Sequence, residues 1–322
     1  MNPLLALKAL PNGFSVRAAR VEDVAAVNQL VRAADVALHG APDCTEEDIR
    51  EEWSLPAFDV TRDCWLVEAP GGALAVYARI WEQNPGARLG GEWTIHPDHV
   101  ALHLGRTALS LIEARAEERA VETPPQGRLE LCVMCSIADK EKLLVLQGAA
   151  FSHARTFLRM SIDLSRGVAP FRDPPGIAIR PHRLGADDRA AHATIEASFS
   201  EHFGFSSRAF EIWWAQHSKH ERFDPGLWLH ACDGDKIVGT LLGYDFLDMG
   251  FVREIGVLEE HRGRGIASGL LLRAFAAFHA RGQDRVVLGV DSENHTGAQR
   301  LYERLGMQVD QEHRLHQKVI RP

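Results

Sequence analysis

The sequence predicts an α/β protein built from two tandem copies of one mixed unit. Three observations lead to this prediction: the chain length, an internal repeat and a Pro- and Gly-rich break between the copies. A chain of 322 residues suggests two domains at ~150 residues each. The composition, 45% hydrophobic and 25% charged, is ordinary for globular domains, so both copies are expected to have a folded core.

Each copy begins with a short strand, a polar turn and an amphipathic helix. This pattern occurs in FSVRAARVEDVAAVNQLVRAA (residues 14–34) and again in IAIRPHRLGADDRAAHATIEASF (residues 177–199). A β-hairpin follows in each copy, at residues 64–81 and 227–246. A further strand, a loop and a long helix come next, and each copy then ends with a strand, a helix and an extended segment.

Matching positions of the two copies keep a nearly constant separation. Arg17 and Arg180 are 163 positions apart, and Gly148 and Gly306 are 158 apart. The slow drift is what small loop deletions produce. The offsets therefore predict two related domains and not two unrelated ones.

The break between the copies lies in SRGVAPFRDPPGIA, whose prolines and glycines are typical of a linker. The sequence thus predicts an N-terminal domain at residues 1–165, a linker at 166–176 and a C-terminal domain at 177–322. The segment MNPLLALKALPNGF at the start resembles a signal peptide only weakly.

Charge and cysteine content exclude several classes of protein. With a net charge of −8, the chain lacks the basic surface that nucleic-acid and anionic-membrane binding require. No apolar run reaches the roughly 18–20 residues of a membrane span. Five cysteines, an odd number, favour the cytoplasm, and Cys132 and Cys135 lie in a predicted strand as ordinary buried thiols. We expect a monomer or homodimer.

The most informative segment is EIGVLEEHRGRGIASGLLL (residues 254–272). An apolar strand ends near Val257, a charged loop follows, and Gly263 and Gly265 open a helix with apolar residues at 3.6-residue spacing. Unpaired N–H groups and the helix dipole make such a helix start an anion site. Glycine allows a phosphate to approach the backbone closely, so this loop predicts a phosphate-binding site.

Two arginines in the loop, Arg262 and Arg264, are expected to add charge-assisted contacts to that phosphate. The G-x-x-x-x-G-K-[ST] pattern of P-loop proteins is absent. A dinucleotide-binding glycine loop is disfavoured as well, because too few residues follow Gly265 for the βαβ units that such a fold needs.

The loop and a second segment resemble the two motifs of the GNAT superfamily of N-acetyltransferases. Arg262-x-x-Gly265-x-Ala267 is similar to the Q/R-x-x-G-x-G/A motif of that superfamily. The segment VDSENHTGAQRLYERLGM (residues 290–307) resembles its A-x-x-L-Y-x-x-x-G-F/M motif. The two-copy layout resembles the tandem members of the superfamily, a group that includes mycothiol synthase.

The resemblance implies a fold, a co-substrate and a reaction. Each domain would have a central mixed, mostly antiparallel sheet flanked by helices. The C-terminal domain would transfer an acetyl group from acetyl-CoA to the primary amine of a small molecule, without a metal. A peptide or protein amine acetyltransferase and a non-catalytic CoA-binding module remain as alternatives. The expected acetyl-CoA contacts are Ile255, Gly256, Val257, Arg262, Gly263, Arg264, Gly265, Ile266, Ala267 and Asn294.

Tyr302 is the expected general acid, because attack on a thioester expels a thiolate that a nearby phenol can protonate. A general base is harder to assign, since Phe251 occupies a position that is often acidic in the superfamily. Glu254 on the same strand is the first choice, although alternation places it on the face opposite Phe251 and Val257. Glu201 and His202 are the alternatives.

The N-terminal copy lacks the corresponding groups. When Gly105 is aligned on Gly265, leucines take the places of the arginines, and Leu144 falls where Tyr302 stands. We therefore expect this copy to have a degenerate acetyl-CoA motif and a structural role.

The histidines and several aromatic residues are the remaining candidates for a site. The 16 histidines show no spacing that predicts a metal site. Aromatic side chains near the start of the second copy are expected to belong to the core, with the lining of an acceptor pocket as the alternative; these are Phe199, Phe203, Phe205, Trp213 and Trp214.

Overall fold

Strands and helices follow one another along the chain in the order that the repeat predicts. The computed structural model describes residues 10–55, 58–122, 127–246 and 248–322. Most of the weak leader-like segment, residues 1–9, lies outside the described residues. In the described part of the chain, no helix is both long and apolar enough to cross a membrane.

The chain forms two units. One consists of Met1–Thr156 together with His313–Pro322, and the other of Phe157–Glu312. This division differs from the division predicted at residues 166–176, because residues 157–165 and the C-terminal residues join the other unit. The cause lies in the last strand of each sheet, described below.

The N-terminal unit contains five strands and five helices before the exchanged strand, among the residues described. The strands are β1 (Ser15–Ala18), β2 (Cys64–Glu68), β3 (Leu74–Asn84), β4 (Arg88–Ile95) and β5 (Leu129–Ser136). The helices are α1 (Val24–His39), α2 (Glu46–Trp53), α3 (Val60–Asp63), α4 (Gly105–Glu122) and α5 (Lys140–Gly148). Strands β1 to β4 form an antiparallel meander, and β5 runs parallel to β4.

The C-terminal unit repeats this order. Its strands are β7 (Ala178–Pro181), β8 (Trp228–Asp233), β9 (Lys236–Phe246), β10 (Met249–Val257) and β11 (Arg285–Asp291). Its helices are α6 (Asp188–Phe199), α7 (Phe210–Ser218), α8 (Ile266–His279) and α9 (Ala298–Arg304). Strands β7 to β10 form an antiparallel meander, and β11 runs parallel to β10. The predicted mixed, mostly antiparallel sheet flanked by helices is confirmed.

The last strand of each sheet comes from the other repeat. Strand β6 (Ser152–Asp163) follows α5 in sequence, yet from Phe157 onward it pairs antiparallel with β11. Strand β12 (Gln308–Arg321) follows α9, yet from His313 onward it pairs antiparallel with β5. Each unit therefore has six strands among the described residues, and this exchange moves the boundaries of the units away from the linker.

Helix α8 packs as its sequence predicts. Its apolar positions, Leu270, Leu271, Ala274, Phe275 and Phe278, are all buried and belong to the main core of the C-terminal unit. Side chains at 3.6-residue spacing share one face of a helix, so burial of this face fixes the start of α8 beside the sheet.

Cys132 and Cys135 lie on β5 and are buried free thiols, as predicted. Burial raises the pKa of Cys132 to about 11 and that of Cys135 to about 12. Both thiols are therefore protonated at neutral pH and unreactive.

Candidate active site

The two parallel strands of the C-terminal unit separate partway along their length. Strand β10 pairs with β11 from Gly250 to Val252, opposite Val286 to Leu288. No further pair joins them in the described sheet, although β10 continues to Val257. The backbone edge of β10 beyond Val252 therefore faces an opening and not a neighbouring strand.

A β-bulge just before Glu254 decides which way this side chain points. On β9, Tyr244 pairs with Phe251 and Leu242 pairs with Glu254. Tyr244 and Leu242 are two residues apart and share one face, so Phe251 and Glu254 share a face as well. The prediction that alternation puts Phe251 and Glu254 on opposite faces of β10 is wrong, because the bulge adds one residue between them. Glu254 and Val257, which both follow the bulge, do lie on opposite faces, as predicted.

The glycine loop after β10 has the backbone that an anion site needs. Gly263 and Gly265 have φ values of +76° and +78°, and a Cβ atom at either position would meet nothing within 4 Å. Gly265 is the N-cap of α8, and no side chain caps the helix. The first N–H groups of α8 are therefore without a capping partner, and the helix dipole adds positive potential there.

The two loop arginines differ in what they contact. Arg262 lines the opening; its Nε donates to the carbonyl of Val257 at 3.2 Å, and its Nη2 lies 3.5 Å from the carbonyl of Ser198. Arg264 instead pairs with Asp233 at 3.3 Å and does not line the opening. Arg262 thus fixes the loop to β10 and α6, and Arg264 lies apart from the other predicted site residues.

These elements enclose a cavity of about 670 Å³. This volume lies within the range of typical small-molecule sites, ~300–1,000 Å³. Every predicted site residue except Arg264 lines it, namely Glu254, Ile255, Gly256, Val257, Arg262, Gly263, Gly265, Ile266, Ala267, Asn294 and Tyr302.

Tyr302 lies on α9, packs in the main core and borders the cavity. Burial raises the pKa of Tyr302 to about 12, so the phenol is protonated at neutral pH. Among the described residues, no group hydrogen-bonds to its hydroxyl. The phenol is therefore a proton donor without a competing partner.

Glu254 has one engaged and one unpartnered carboxylate oxygen. Oε1 accepts a hydrogen bond from Nη2 of Arg208 at 3.2 Å. Oε2 is buried and has no hydrogen-bond partner among the described residues. Leaving a buried acceptor unsatisfied costs free energy, so Oε2 is the atom of Glu254 that still needs a proton donor.

The two alternative bases are placed differently. His202 lines the cavity, and burial, with His295 and Arg262 nearby, lowers its pKa. Glu201 does not line it; its Oε2 lies 3.6 Å from Nε2 of His295, and both side chains are largely exposed. Of these alternatives, only His202 is in the cavity.

Three phenylalanines expected in the core border the cavity instead: Phe199 at the end of α6, and Phe203 and Phe205 in the loop that follows. Trp213, by contrast, is fully buried in a second apolar cluster, as predicted. Phe199 is the last residue of α6 and the other two lie after it, so helical spacing was the wrong guide for them.

The corresponding place in the N-terminal unit is filled by side chains. Strands β4 and β5 also stop pairing partway, at Gly91 opposite Val133. A Cβ atom on Gly105, at the start of α4, would lie 2.6 Å from both carboxylate oxygens of Glu141. In the same unit, Trp93 is fully buried under the ammonium of Lys142, which lies 5.2 Å from the ring centroid.

One group of side chains in the described residues brings potential metal ligands together: His182, Asp187 and His230, whose ligand atoms lie within 4.8 Å of one another. These atoms already have partners. Nδ1 of His182 lies 2.8 Å from Nε2 of His230, and Asp187 pairs with Arg180 and Arg183. The group is therefore a buried hydrogen-bond network, and the expectation of a metal-free reaction remains a prediction.

Comparison with known proteins supports the motif resemblance. The model of the acetyltransferase (GNAT) family matches residues 190–307. The chain is 31% identical over 254 residues to a mycothiol acetyltransferase of Kineococcus radiotolerans, covering 75% of this chain and 77% of that protein. It is 29% identical over 297 residues to that of Geodermatophilus obscurus, covering 88% and 90%.

Solved structures agree with the tandem layout. A GCN5-related N-acetyltransferase from Sphaerobacter thermophilus matches with a TM-score of 0.84 at 31% identity, covering 97% of this chain and 98% of that chain. A tandem GNAT protein from the clavulanic acid biosynthesis pathway has the same fold, with a TM-score of 0.71 at 17% identity, covering 96% and 99%.

Proposed function

Because this chain belongs to the acetyltransferase (GNAT) family and is an N-acetyltransferase, we propose that it transfers the acetyl group of acetyl-CoA to the primary amine of a small molecule. We assign the reaction to the C-terminal unit. The observation that carries this proposal is the convergence of the predicted residues on one cavity, with Glu254 and Tyr302 both on its wall. Sequence motifs from separate segments would not meet there without a shared role.

The residues present suit the parts of the co-substrate. The uncapped amides at the start of α8, together with Gly263 and Gly265, would hold the pyrophosphate of acetyl-CoA. The open edge of β10 at 255–257 would hydrogen-bond the pantetheine arm, and Asn294 would contact it from the other wall. When bound, acetyl-CoA supplies an acetyl group activated as a thioester.

Two side chains of this chain would move the protons. Oε2 of Glu254 accepts the proton of the acceptor ammonium, because this oxygen has no other partner. Oη of Tyr302 holds the proton that the departing thiolate needs, because burial keeps the phenol protonated. His202 is the alternative acceptor on the cavity wall.

The N-terminal unit is proposed to hold no acetyl-CoA and to have a structural role. Its helix start is already occupied, because the Glu141 carboxylate packs against Gly105. This chain would therefore bind one acetyl-CoA.

The acceptor is proposed to be a small molecule. The relatives named mycothiol acetyltransferase favour this choice over a peptide. Five free thiols are stable in a reducing compartment, so the reaction is assigned to the cytoplasm. A monomer or homodimer remains our prediction for the assembly.

Isothermal titration with acetyl-CoA tests the cofactor role, and release of free CoA with a panel of acceptors tests the reaction. The panel contains amino sugars, cysteinyl amines, polyamines, peptide N-termini and lysine peptides. We expect acetyl-CoA binding that Gly265→Asp abolishes, and turnover with a non-peptide amine that Tyr302→Phe reduces. Absence of binding, or turnover only with peptides, would contradict the proposal.

A further inference from the structure

We propose that Arg208 is a positioning residue that holds the Glu254 carboxylate through Oε1 and leaves Oε2 without a partner. This inference rests on the proposed role of Glu254 as the general base. Arg208 lies outside both sequence motifs and does not line the cavity. It would act only through its contact with Glu254.

The geometry of that contact leaves one oxygen available. Nη2 of Arg208 donates to Oε1 of Glu254 at 3.2 Å, while Oε2 has no partner. The side chain of Glu254 is only 15% exposed and that of Arg208 31% exposed. A one-oxygen contact holds the rotamer of the carboxylate without occupying Oε2, the atom proposed to take the proton.

The backbone of Arg208 is anchored to α6 on both sides. Its N–H donates to Oε2 of Glu196 at 3.2 Å, and Oγ of Ser207 donates to the same oxygen at 2.6 Å. Its carbonyl oxygen lies 2.8 Å from Nε2 of His192. These three contacts tie the loop that carries Arg208 to a helix of the scaffold, so the position of the guanidinium does not depend on a flexible segment.

The guanidinium is also held from α7. Its Nη1 donates to Oε1 of Gln216 at 3.3 Å, so one nitrogen is fixed by α7 and the other meets β10. Because the planar guanidinium of Arg208 is already held by α7, it loses little further conformational entropy when it pairs with the carboxylate of Glu254. Arg208 therefore links α6, α7 and β10 at Glu254.

The other charged or titratable groups described on α6, α7 and β10 near Glu254 make different contacts. Arg253, in the bulge, lies 5.9 Å from the ring centroid of Tyr244. His217 on α7 is neutral, since burial, with Arg253 and Arg208 nearby, lowers its pKa to about 3. Glu196 on α6 is engaged with the loop backbone. Arg208 is thus the cation that hydrogen-bonds to Glu254.

Loss of this cation should make the partly buried carboxylate harder to ionise. We expect Arg208→Met to move the acidic limb of the kcat–pH profile upward by about 1 pH unit. Arg208→Lys, which keeps the charge without the fork, should give a smaller shift. All variants are assayed with the same acceptor, the fastest of the amine panel. Ionisation of this acceptor therefore affects the kcat–pH profiles of all variants equally.

Arg189→Met is the matched control, because Arg189 forms an exposed pair with Glu211 between the same two helices. Its profile should equal that of the wild type. Acetyl-CoA affinity and the melting temperature are measured for every variant, and the affinity should stay unchanged in Arg208→Met. If Arg208→Met does not fold, Arg208→Lys carries the test.

The outcomes separate the two proposals. An upward shift of the limb in Arg208→Met, reduced in Arg208→Lys and absent in Arg189→Met, supports the positioning role. An unchanged limb, or an equal loss of kcat at every pH, overturns it. Glu254→Gln is measured in parallel. If this variant retains the wild-type kcat, Glu254 is not the base, and both the proposed base and this inference are refuted. If Glu254→Gln is inactive but the acidic limb of Arg208→Met is unshifted, only this inference is refuted.

Discussion

The carboxylate of Glu141 packs directly against Gly105 at the start of α4, the place that matches the open backbone at Gly265 in the other unit. Burial and the nearby Asp139 raise the pKa of Glu141. A side-chain carboxyl group thus lies where the C-terminal unit leaves room for a phosphate. One repeat keeps an open helix start, and the other has closed it from within.

We therefore predict that one acetyl-CoA binds per chain. Gly265→Asp should abolish binding altogether, because it places a negative charge and a side chain at φ +78° in the loop. Isothermal titration measures the stoichiometry. Gly282→Asp is the matched control: it has φ +87° and open surroundings, but does not line the cavity, so binding should be retained. A second bound equivalent, or one surviving in Gly265→Asp, would contradict the prediction.

Tyr302→Phe should lower kcat by about 10²- to 10⁴-fold, the usual contribution of a general acid. Its effect on stability should be small, because the hydroxyl has no partner among the described residues. Stopped-assay release of CoA and thermal melting provide the two measurements. With the pKa of Tyr302 at about 12, this phenol should add no descending limb to the kcat profile below about pH 11.

Tyr77→Phe is the control for that variant. Tyr77 is equally buried in the N-terminal unit, and its hydroxyl lies 3.0 Å from Nε1 of Trp53. This substitution should lower the melting temperature and leave kcat unchanged. A kcat loss of the same size in both variants would show that Tyr302 acts through packing alone.

Two glycines in the cavity wall should respond oppositely to substitution. A Cβ atom at Gly256 would lie 2.6 Å from Cβ of Ser198 on α6, so Gly256→Ala should destabilise the fold by about 1–3 kcal/mol. At Gly289 on β11 nothing lies within 4 Å. Gly289→Val should therefore preserve the melting temperature and weaken acetyl-CoA binding; unchanged affinity would place the co-substrate elsewhere.

The buried histidines predict a loss of stability in mild acid. Burial lowers the pKa of His217 and of His230 to about 3, so both stay neutral when folded. The unfolded chain binds protons near its ordinary value of ~6.5, and the stabilisation is complete above that pH and falls below it. Between pH 7.5 and 5, each histidine should cost about 2 kcal/mol of unfolding free energy.

Denaturant unfolding at several pH values measures this slope. In His230→Gln, the loss of unfolding free energy between pH 7.5 and 5 should be smaller by about 2 kcal/mol, whatever the substitution does to stability at pH 7.5. His295→Gln is the control, because its side chain is largely exposed and should leave the slope as in the wild type. Equal slopes in all three proteins would refute the assignment.

Local patterns in the sequence were enough to predict the helices, the strands and their repetition. The repeat offsets predicted two copies, and the apolar positions of α8 were buried as their spacing required. The loop between β10 and α8 was predicted from two glycines, and both have positive φ values in the structure. These features depend on periodicity and backbone preference within a few neighbouring residues, which one sequence displays directly.

The site required contacts that no local pattern carries. The bulge turned Glu254 to the face of Phe251, and Arg264 pairs with Asp233 and not with the cavity. Arg208 reaches Glu254 across 46 positions of sequence. Such pairs depend on how α6, α7 and the strands pack, so spacing along the chain does not encode them.

The sequence by itself determined the repeated α/β unit, the glycine loop and the residues that could carry acetyl transfer. Only the tertiary structure decided that β6 and β12 complete the sheets of the opposite repeats, that one helix start is open and that Glu141 closes the other. The physical reason is that hydrogen-bonded ladders and close packing select partners by three-dimensional fit, whereas sequence patterns report only the conformation of the segment that contains them.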